Sequence, residues 1–221
     1  MPSTPAKQNS SPDYEAILLA GWAGNKDPAH DLAHVKRVHE NARAIAAKEG
    51  GDWDVLEPAI WLHDLVNHPK DHPERHLASR QSAGKAANIL KEFGTRPEII
   101  RQVEHAIAAH SFSAGITPET REAKILQDAD RLDALGAIGI ARTFAVGGAL
   151  GRPFYDPADP LAENRDLDDS RFTLDHFAAK LFLLDTTLQT QSARDIAAQR
   201  LSFMQTFITQ LRDEIGDKPK A

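Results

Sequence analysis

The chain contains no cysteine among its 221 residues. This absence excludes disulfide bonds, thiolate metal sites and cysteine nucleophiles together, and it is compatible with a reducing cytosol. No stretch approaches the roughly 18 consecutive apolar residues that a membrane-spanning helix needs. Residues 1–11 also lack the apolar centre of a signal peptide. We therefore expect a cytoplasmic protein that does not act at a membrane.

Positive charge is also scarce, because 26 lysines and arginines face 32 aspartates and glutamates, for a net charge of −6. This balance provides no basic footprint for nucleic acid. A mildly acidic protein can still bind a phosphorylated small molecule when a metal ion and a few cations supply local positive charge. The expected partner is therefore a small molecule, while the oligomeric state stays open.

Alternating runs rich in valine, isoleucine and threonine, which would indicate strands, are missing. Apolar residues instead recur every three or four positions, as at Leu32, Val35 and Val38 in a helix predicted over about 31–49. Further helices are predicted over about 14–22, 53–66, 77–93 and 97–110, from 117 to at least 144, from 173 and from 192. We therefore predict a single all-α helical bundle over 12–216, with tails at 1–11 and 217–221.

Four residues of metal-binding type lie at the edges or ends of these apolar patterns. His63 and Asp64 close the apolar run 59–62, His34 lies on the preceding helix and Asp130 lies on a later one. An ionised carboxylate at the edge of a core is costly unless something positive lies beside it. Each residue alone is weak evidence, but the four together favour a site for a divalent manganese, iron, nickel, cobalt or zinc ion.

The segments Ala33-His34, Leu62-His63-Asp64-Leu65 and Asp128-Ala129-Asp130-Arg131-Leu132 resemble the HD-domain metal-dependent phosphohydrolase superfamily. The blocks over 105–113 and 122–139 are similar to its small stand-alone bacterial branch, of YedJ/YpgQ type. This resemblance, over about residues 14–212, implies an HD-type all-α bundle. It also implies one divalent ion, manganese first and cobalt, nickel, iron, magnesium or zinc otherwise, on His34, His63, Asp64 and Asp130.

The resemblance further implies hydrolysis of phosphate esters or anhydrides, often in nucleotides. The stand-alone branch is similar to nucleoside triphosphate pyrophosphohydrolases, which release pyrophosphate and a monophosphate. The chain lacks the Gly-Tyr-Pro signature of the cyclic-di-GMP phosphodiesterases. Where alarmone hydrolases carry a Glu-Asp pair, it has Val66-Asn67-His68-Pro69. We therefore expect a metal-dependent phosphohydrolase that acts on nucleotide phosphoanhydrides through a metal-activated water.

Candidate residues for the remaining chemistry lie around this set. Asp64 is the ligand expected to hold the attacking water, and Asp133 is expected to orient a ligand or water. Cationic or potentially cationic side chains follow the dipeptide closely and are candidates for binding phosphates or protonating the leaving group: Lys70, His72, Arg75 and His76. His72 is the candidate acid among them. His110 is a candidate substrate contact, with a core histidine or a second metal ligand as alternatives.

A long segment rich in proline, glycine and aspartate, residues 147–171, has no periodicity. It carries Phe154 and Tyr155 beside Arg152, a combination suited to stacking on a base and pairing with a phosphate. One interpretation is a flap in which Tyr155 contacts the substrate. The other is a loop that fixes the last two helices to the body of the protein.

Two other functions remain open at this point. One is a two-iron oxygenase of the same fold, in which His110 and either His76 or His105 add ligands. The other is a non-catalytic regulator that keeps a structural metal ion.

Overall fold

The computed structural model describes residues 12–22, 31–68 and 72–216, and within these ranges it contains helices and no strand. The all-α prediction is therefore confirmed. The predicted tails, 1–11 and 217–221, lie outside the described residues. The α-helices are α1 (Tyr14–Gly21), α2 (Leu32–Glu49), α3 (Trp53–Leu62), α4 (Ala78–Glu92), α5 (Pro97–His110), α6 (Arg121–Asp133), α7 (Gly136–Ala149), α8 (Asp175–Ala179) and α9 (Gln191–Ile215).

The core lies where α2, α3, α5 and α6 pack against one another, with α4 against α5. From the apolar stripe of α2, Val35, Val38 and Ile45 are fully buried there, and Leu32 is partly buried. Burying a side chain of this kind contributes about 1.5–3 kcal/mol relative to leaving it exposed. Helix α9 packs against α7, α2 and α6 on the other side. This packing turns one edge each of α2 and α6 and the end of α3 toward a common point.

The helix predicted from 117 to 144 is two helices in the structure. Its first half, α6, begins after Thr120, whose side chain accepts the backbone N–H of Ala123. The chain then turns at Gly136, which has a φ of 73°, a conformation that glycine adopts without strain. Among the described residues no single helix is long and apolar enough to cross a membrane. Helices α6 and α7 meet that requirement only as a pair, and they are bent by 65°.

Two other predicted helices differ from the structure. Helix α3 ends at Leu62, four residues early, because the chain turns at His63 and Asp64. The helix predicted from Thr173 is instead the short α8 followed by a 3₁₀ helix over Leu181–Thr187. Leu174, rather than Thr173, is the residue that precedes α8, and it makes no side-chain cap hydrogen bond. The backbone N–H of Thr173 is bonded to the carbonyl of Pro153 at 3.0 Å, which ties this residue to the preceding loop.

The last helix also starts differently from the prediction. Thr190, rather than Ser192, is its N-cap and accepts the backbone N–H of Ala193. Ser192 instead donates its hydroxyl to Glu49 on α2 at 2.8 Å.

Candidate metal centre

Helices α2, α3 and α6 bring the four predicted ligand-type residues together. Nε2 of His34 lies 3.4 Å from Oδ1 of Asp130 and 3.8 Å from Oδ2 of Asp64. Nε2 of His63 lies 3.4 Å from the same Oδ2 of Asp64. One atom each from His34, His63 and Asp130 lie within 4.8 Å of one another. Nitrogen and oxygen atoms this close could share one divalent ion.

His63 presents a buried nitrogen lone pair to this cluster. Its Nδ1 lies 2.7 Å from the carbonyl oxygen of Ile60, which can only accept, so Nδ1 carries the proton. Its Nε2 is buried and has no hydrogen-bond partner among the described residues. Burial lowers the pKa of His63, so the ring is neutral near pH 7. An imidazole that is hydrogen-bonded through one nitrogen and unprotonated at the other is in the state that binds a metal ion.

His34 is held in a different protonation state by the carboxylates around it. Burial opposes its charge, but hydrogen bonds to Asp130 and Asp133 outweigh burial and raise the pKa of His34 to about 9. The same proximity keeps the pKa of Asp130 well below its usual range, although burial works against its charge. Without a metal ion, the positive charge at this point is therefore a proton on His34.

Asp133 lies behind His34, on the side away from the other ligand-type residues. Its carboxylate is 2.7 Å from Nδ1 of His34 and accepts hydrogen bonds from Arg37 at 2.6 Å and from Arg142 at 2.5 Å. Burial would raise the pKa of Asp133, but these three cationic partners lower it. A carboxylate on the far nitrogen of a histidine orients the ring, so the geometry favours the orienting role over direct catalysis for Asp133.

A polar cavity of about 160 Å³, here called the metal-side cavity, opens beside the cluster. Its lining includes Asp64, Asn67, Arg75, Ser79, His110, Ser111, Ser113 and Asp130. His110 is buried, donates Nδ1–H to the carbonyl of Ile107 at 2.7 Å and places Nε2 3.7 Å from Oδ1 of Asp64. The asparagine and the serines of this cavity escaped sequence reasoning, because small polar residues carry no pattern that separates them from ordinary surface.

Among the described residues of the loop after the dipeptide, one of the three predicted phosphate contacts lines this cavity. Lys70 lies outside the described residues. Arg75 lines the metal-side cavity, whereas His72 and His76 do not. The ring of His72 stacks on that of His68 with centroids 4.4 Å apart, and its Nδ1 accepts the backbone N–H of Glu74. His76 is exposed. Of these three side chains, the structure therefore brings Arg75 to the cavity and leaves His72 and His76 away from it.

Tyr155 is half-buried and packs against the hydrophobic core rather than lining this cavity. Its loop is tied to the residues before α8, since the N–H of Leu174 donates to the carbonyl of Phe154 at 2.7 Å. Arg165 in the same loop makes two hydrogen bonds to Asp175, at 2.5 and 2.8 Å. These contacts favour a loop that fixes α8 in place over a flap that uses Tyr155.

Comparison with known proteins agrees with this geometry. The HD domain family matches residues 31–135. Uncharacterized protein YpgQ of Bacillus subtilis (strain 168) is 34% identical over 195 residues, which are 86% of this chain and 87% of YpgQ.

Two solved structures are also similar to this fold. The crystal structure of Bacillus subtilis YpgQ in complex with ADP has a TM-score of 0.70 and 32% identity, covering 91% of this chain and 92% of that one. An HD-superfamily hydrolase from Bacillus thuringiensis has a TM-score of 0.72 and 34% identity, covering 93% and 96%. Because these likenesses extend over most of the sequence and the fold, the chain belongs to the HD domain family.

Proposed function

We propose that this protein is a metal-dependent phosphohydrolase in which His34, His63, Asp64 and Asp130 hold one divalent ion. The observation that carries the proposal is the buried, unprotonated Nε2 of His63, 3.4 Å from a carboxylate oxygen of Asp64. A lone pair buried without a donor is costly unless a cation meets it. Two imidazoles and two carboxylates suit a first-row divalent ion, and manganese is our first candidate.

The side chains around the centre suit hydrolysis at phosphorus. A bound divalent ion supplies the Lewis acidity that activates water near neutral pH and offsets phosphate charge. Asp64 belongs to both the ligand-type cluster and the wall of the metal-side cavity, so it is placed to orient the attacking water. Arg75 and His110 line the same cavity and are placed to contact phosphate oxygens. Asp133 keeps the His34 ring in position from behind.

We infer further that the substrate is a nucleotide whose phosphoanhydride bond is cleaved, with pyrophosphate and a monophosphate as products. Support comes from YpgQ, a relative solved with ADP, and from the arginine on the metal-side cavity. A single guanidinium group can donate hydrogen bonds to two oxygens of one phosphate.

A panel of nucleotides and other phosphate compounds, assayed with manganese, cobalt, nickel and magnesium, tests the proposal. Pyrophosphate and orthophosphate are quantified separately. We expect metal-dependent pyrophosphate release from nucleoside triphosphates, and a loss of kcat of at least about 100-fold in Asp64→Asn, because this residue orients both ion and water. Asp54→Asn, an exposed carboxylate on α3, is the matched control and should keep full activity. Equal turnover in the two variants would contradict the proposal.

A second candidate, a two-iron oxygenase, is favoured by one observation. Ligand atoms of His63, Asp64 and His110 also lie within 4.8 Å of one another, so Asp64 could bridge two ions. His105 does not join them, since its Nε2 accepts the backbone N–H of Glu119 at 3.0 Å. Two irons per chain with substrate-dependent oxygen consumption would favour the oxygenase. No turnover on either assay would favour a non-catalytic regulator.

A further inference from the structure

His63 and Asp64, two of the candidate ligands, lie in a turn rather than inside a helix. Helix α3 ends at Leu62, so the backbone carbonyls around the turn lose the partners that a continuing helix would supply. Two of these carbonyls find partners nearby in sequence. The carbonyl of Ile60 accepts Nδ1–H of His63 at 2.7 Å. The carbonyl of Leu62 accepts the N–H of Leu65 at 3.3 Å. Further contacts with the turn come from distant parts of the chain.

The carbonyl of Asp64 is hydrogen-bonded to a tryptophan that lies 42 residues earlier in the chain. Nε1–H of Trp22 donates to this oxygen at 2.8 Å, in a partly buried contact. Trp22 directly follows α1, and its backbone N–H donates to the carbonyl of Leu18 at 3.0 Å, which ties it to that helix. Leu18 is fully buried, so α1 is anchored in the core. Trp22 therefore reaches the turn from a helix that the core holds in place.

A serine on α4 holds the other end of the turn. Oγ of Ser82 accepts the N–H of Val66 at 2.9 Å and donates to the carbonyl of the same residue at 3.4 Å. Ser82 is fully buried. The end of α1 also lies close against the turn, because a Cβ atom at Gly21 would lie 3.2 Å from Cδ2 of Leu65. The backbone of residues 64–66 is therefore held both by the end of α1 and by α4.

The carboxylate of Asp64 depends on this backbone for its place among the other candidate ligands. Its Oδ2 lies 3.4 Å from Nε2 of His63 and 3.8 Å from Nε2 of His34. Its Oδ1 lies 3.7 Å from Nε2 of His110. Because the aspartate side chain is short and takes staggered rotamers, its oxygens go where the backbone directs them. Metal and catalytic sites need their groups within about 0.5 Å of the productive position, so a loose turn would weaken the centre.

We propose that Trp22 is a positioning residue for Asp64 and that Ser82 assists it from α4. This inference rests on the proposed function and goes beyond its set of residues. Trp22 is not among the residues that line the metal-side cavity, so it acts through the backbone of Asp64 and not on the substrate. Tryptophan suits this role because its indole carries one N–H donor on a large apolar body, which can be buried with the donor aimed at a carbonyl.

Calorimetric titration of the EDTA-treated full chain with manganese tests the inference. Trp22→Phe keeps an aromatic ring but removes the N–H, so the carbonyl of Asp64 loses its partner. We expect the Kd for manganese to rise about tenfold, the lower end of the effect of groups behind a metal ligand. Trp61→Phe is the matched control, because its Nε1–H also donates at 2.8 Å, but to Glu57 within α3. This control should keep the wild-type Kd.

A second pair of variants tests the contribution from α4. Ser82→Ala should also raise the Kd for manganese. Its control is Ser192→Ala, another buried serine, whose hydroxyl donates to Glu49 at 2.8 Å. Thermal unfolding of the metal-free chains separates positioning from stability, since Trp22→Phe and Trp61→Phe should lower Tm by similar amounts. A residue that only stabilises the fold would lower Tm and leave the Kd for manganese unchanged.

Kinetics with saturating manganese and a nucleoside triphosphate complete the test. Trp22→Phe should lower kcat about tenfold and leave KM near the wild-type value, because it misplaces a reacting group without removing a substrate contact. A Trp22→Phe chain that binds manganese as tightly as the wild type overturns the inference, even where the wild type hydrolyses nucleotides. Weaker manganese binding in this variant, without wild-type turnover on any phosphate, would support the positioning role and reject the phosphohydrolase proposal. A wild-type chain that binds no divalent ion overturns both.

Discussion

His34 is the residue at which a proton and a metal ion compete for the same place. Its pKa of about 9 reflects Asp130 and Asp133, which outweigh the opposing effect of burial. Because Nδ1 is held by Asp133, a metal ion would take the proton of Nε2. One proton should therefore be released for each ion bound at any pH below about 9.

We predict that manganese affinity rises about tenfold for each pH unit between pH 6.5 and 8. Calorimetry in buffers of different ionisation enthalpy measures both Kd and the protons released. Asp133→Asn removes one of the two carboxylates that hold the proton on His34. The manganese affinity of this variant should therefore depend on pH less steeply at the upper end of this range. It should also be about 10- to 100-fold weaker, as expected for a lost partner of a metal-binding histidine. Affinity that does not change with pH would contradict this assignment of the proton.

The raised pKa of His34 also affects the stability of the metal-free fold. The folded pKa of His34, about 9, lies above its value of 6.5 in an unfolded chain. Protonated His34 therefore stabilises the fold fully below about pH 6.5, and this contribution disappears as the pH rises through about 9. Metal binding has the opposite trend, since it is strongest where His34 has lost its proton.

At the level of elements, the break between α6 and α7 shapes the surroundings of the candidate metal centre. Gly139 lies on α7 where it passes the end of α6, and a Cβ there would lie 2.1 Å from the carbonyl oxygen of Ala134. A backbone atom cannot move aside as a flexible side chain can. Arg142, nearly one turn further along α7, reaches Asp133 from this position.

We predict that Gly139→Ala destabilises the protein by about 2 kcal/mol or more, within the range for overpacking, and weakens metal binding through Arg142 and Asp133. Gly148→Ala on the same helix is a matched control, because nothing lies within 4 Å of its added Cβ. It should be neutral or stabilise by up to about 1 kcal/mol, since alanine favours helix. Urea unfolding of both variants decides between the outcomes. A Gly139→Ala variant as stable as Gly148→Ala would show that the two helices need no such contact.

Helices with a strong apolar stripe were predictable from sequence, and helices shaped by neighbouring segments were not. The stripe of α2 with Val35 and Val38 is an intrinsic signal, and its cap, Asp31, is adjacent in sequence. The break between α6 and α7 lies at Gly136, but a single glycine inside an apolar helical pattern is also tolerated in a continuous helix, so the pattern alone does not reveal the break. Similarly, Thr173 has the chemistry of a helix cap, but α8 begins two residues later, and the N–H of Thr173 is bonded to the carbonyl of Pro153, twenty residues earlier.

For the molecule as a whole, the sequence was sufficient to propose the four ligand-type residues but not their surroundings. His34, His63 and Asp130 are predictable because each interrupts or ends an apolar pattern that must be buried. Asp133 and Arg142 meet only because α6 and α7 cross, and the apolar pattern of neither helix reveals that crossing. Residues that meet only through such a crossing, as Arg142 does with Asp133, therefore carry no signal of that contact in the sequence.

A metal ion at this centre would join α2, the end of α3 and α6, segments up to 96 residues apart between His34 and Asp130. An unfolded chain cannot hold these side chains together, so an ion binds the folded state and stabilises it. We predict that manganese at about 100 times its Kd stabilises the EDTA-treated protein by about 2.7 kcal/mol, which raises Tm by about 5–10 °C for a chain of this size. The core around Val35 and Leu62 should keep the metal-free protein helical at room temperature.

Differential scanning calorimetry with and without manganese measures this effect. Asp130→Asn keeps the shape of the side chain but removes its charge, so its Tm should rise far less on adding manganese. Asp213→Asn, exposed near the end of α9, is the control and should respond like the wild type. An equal rise in Tm for Asp130→Asn would place the stabilising ion elsewhere on the molecule, because a site that uses the Asp130 carboxylate as a ligand would be weakened by this substitution.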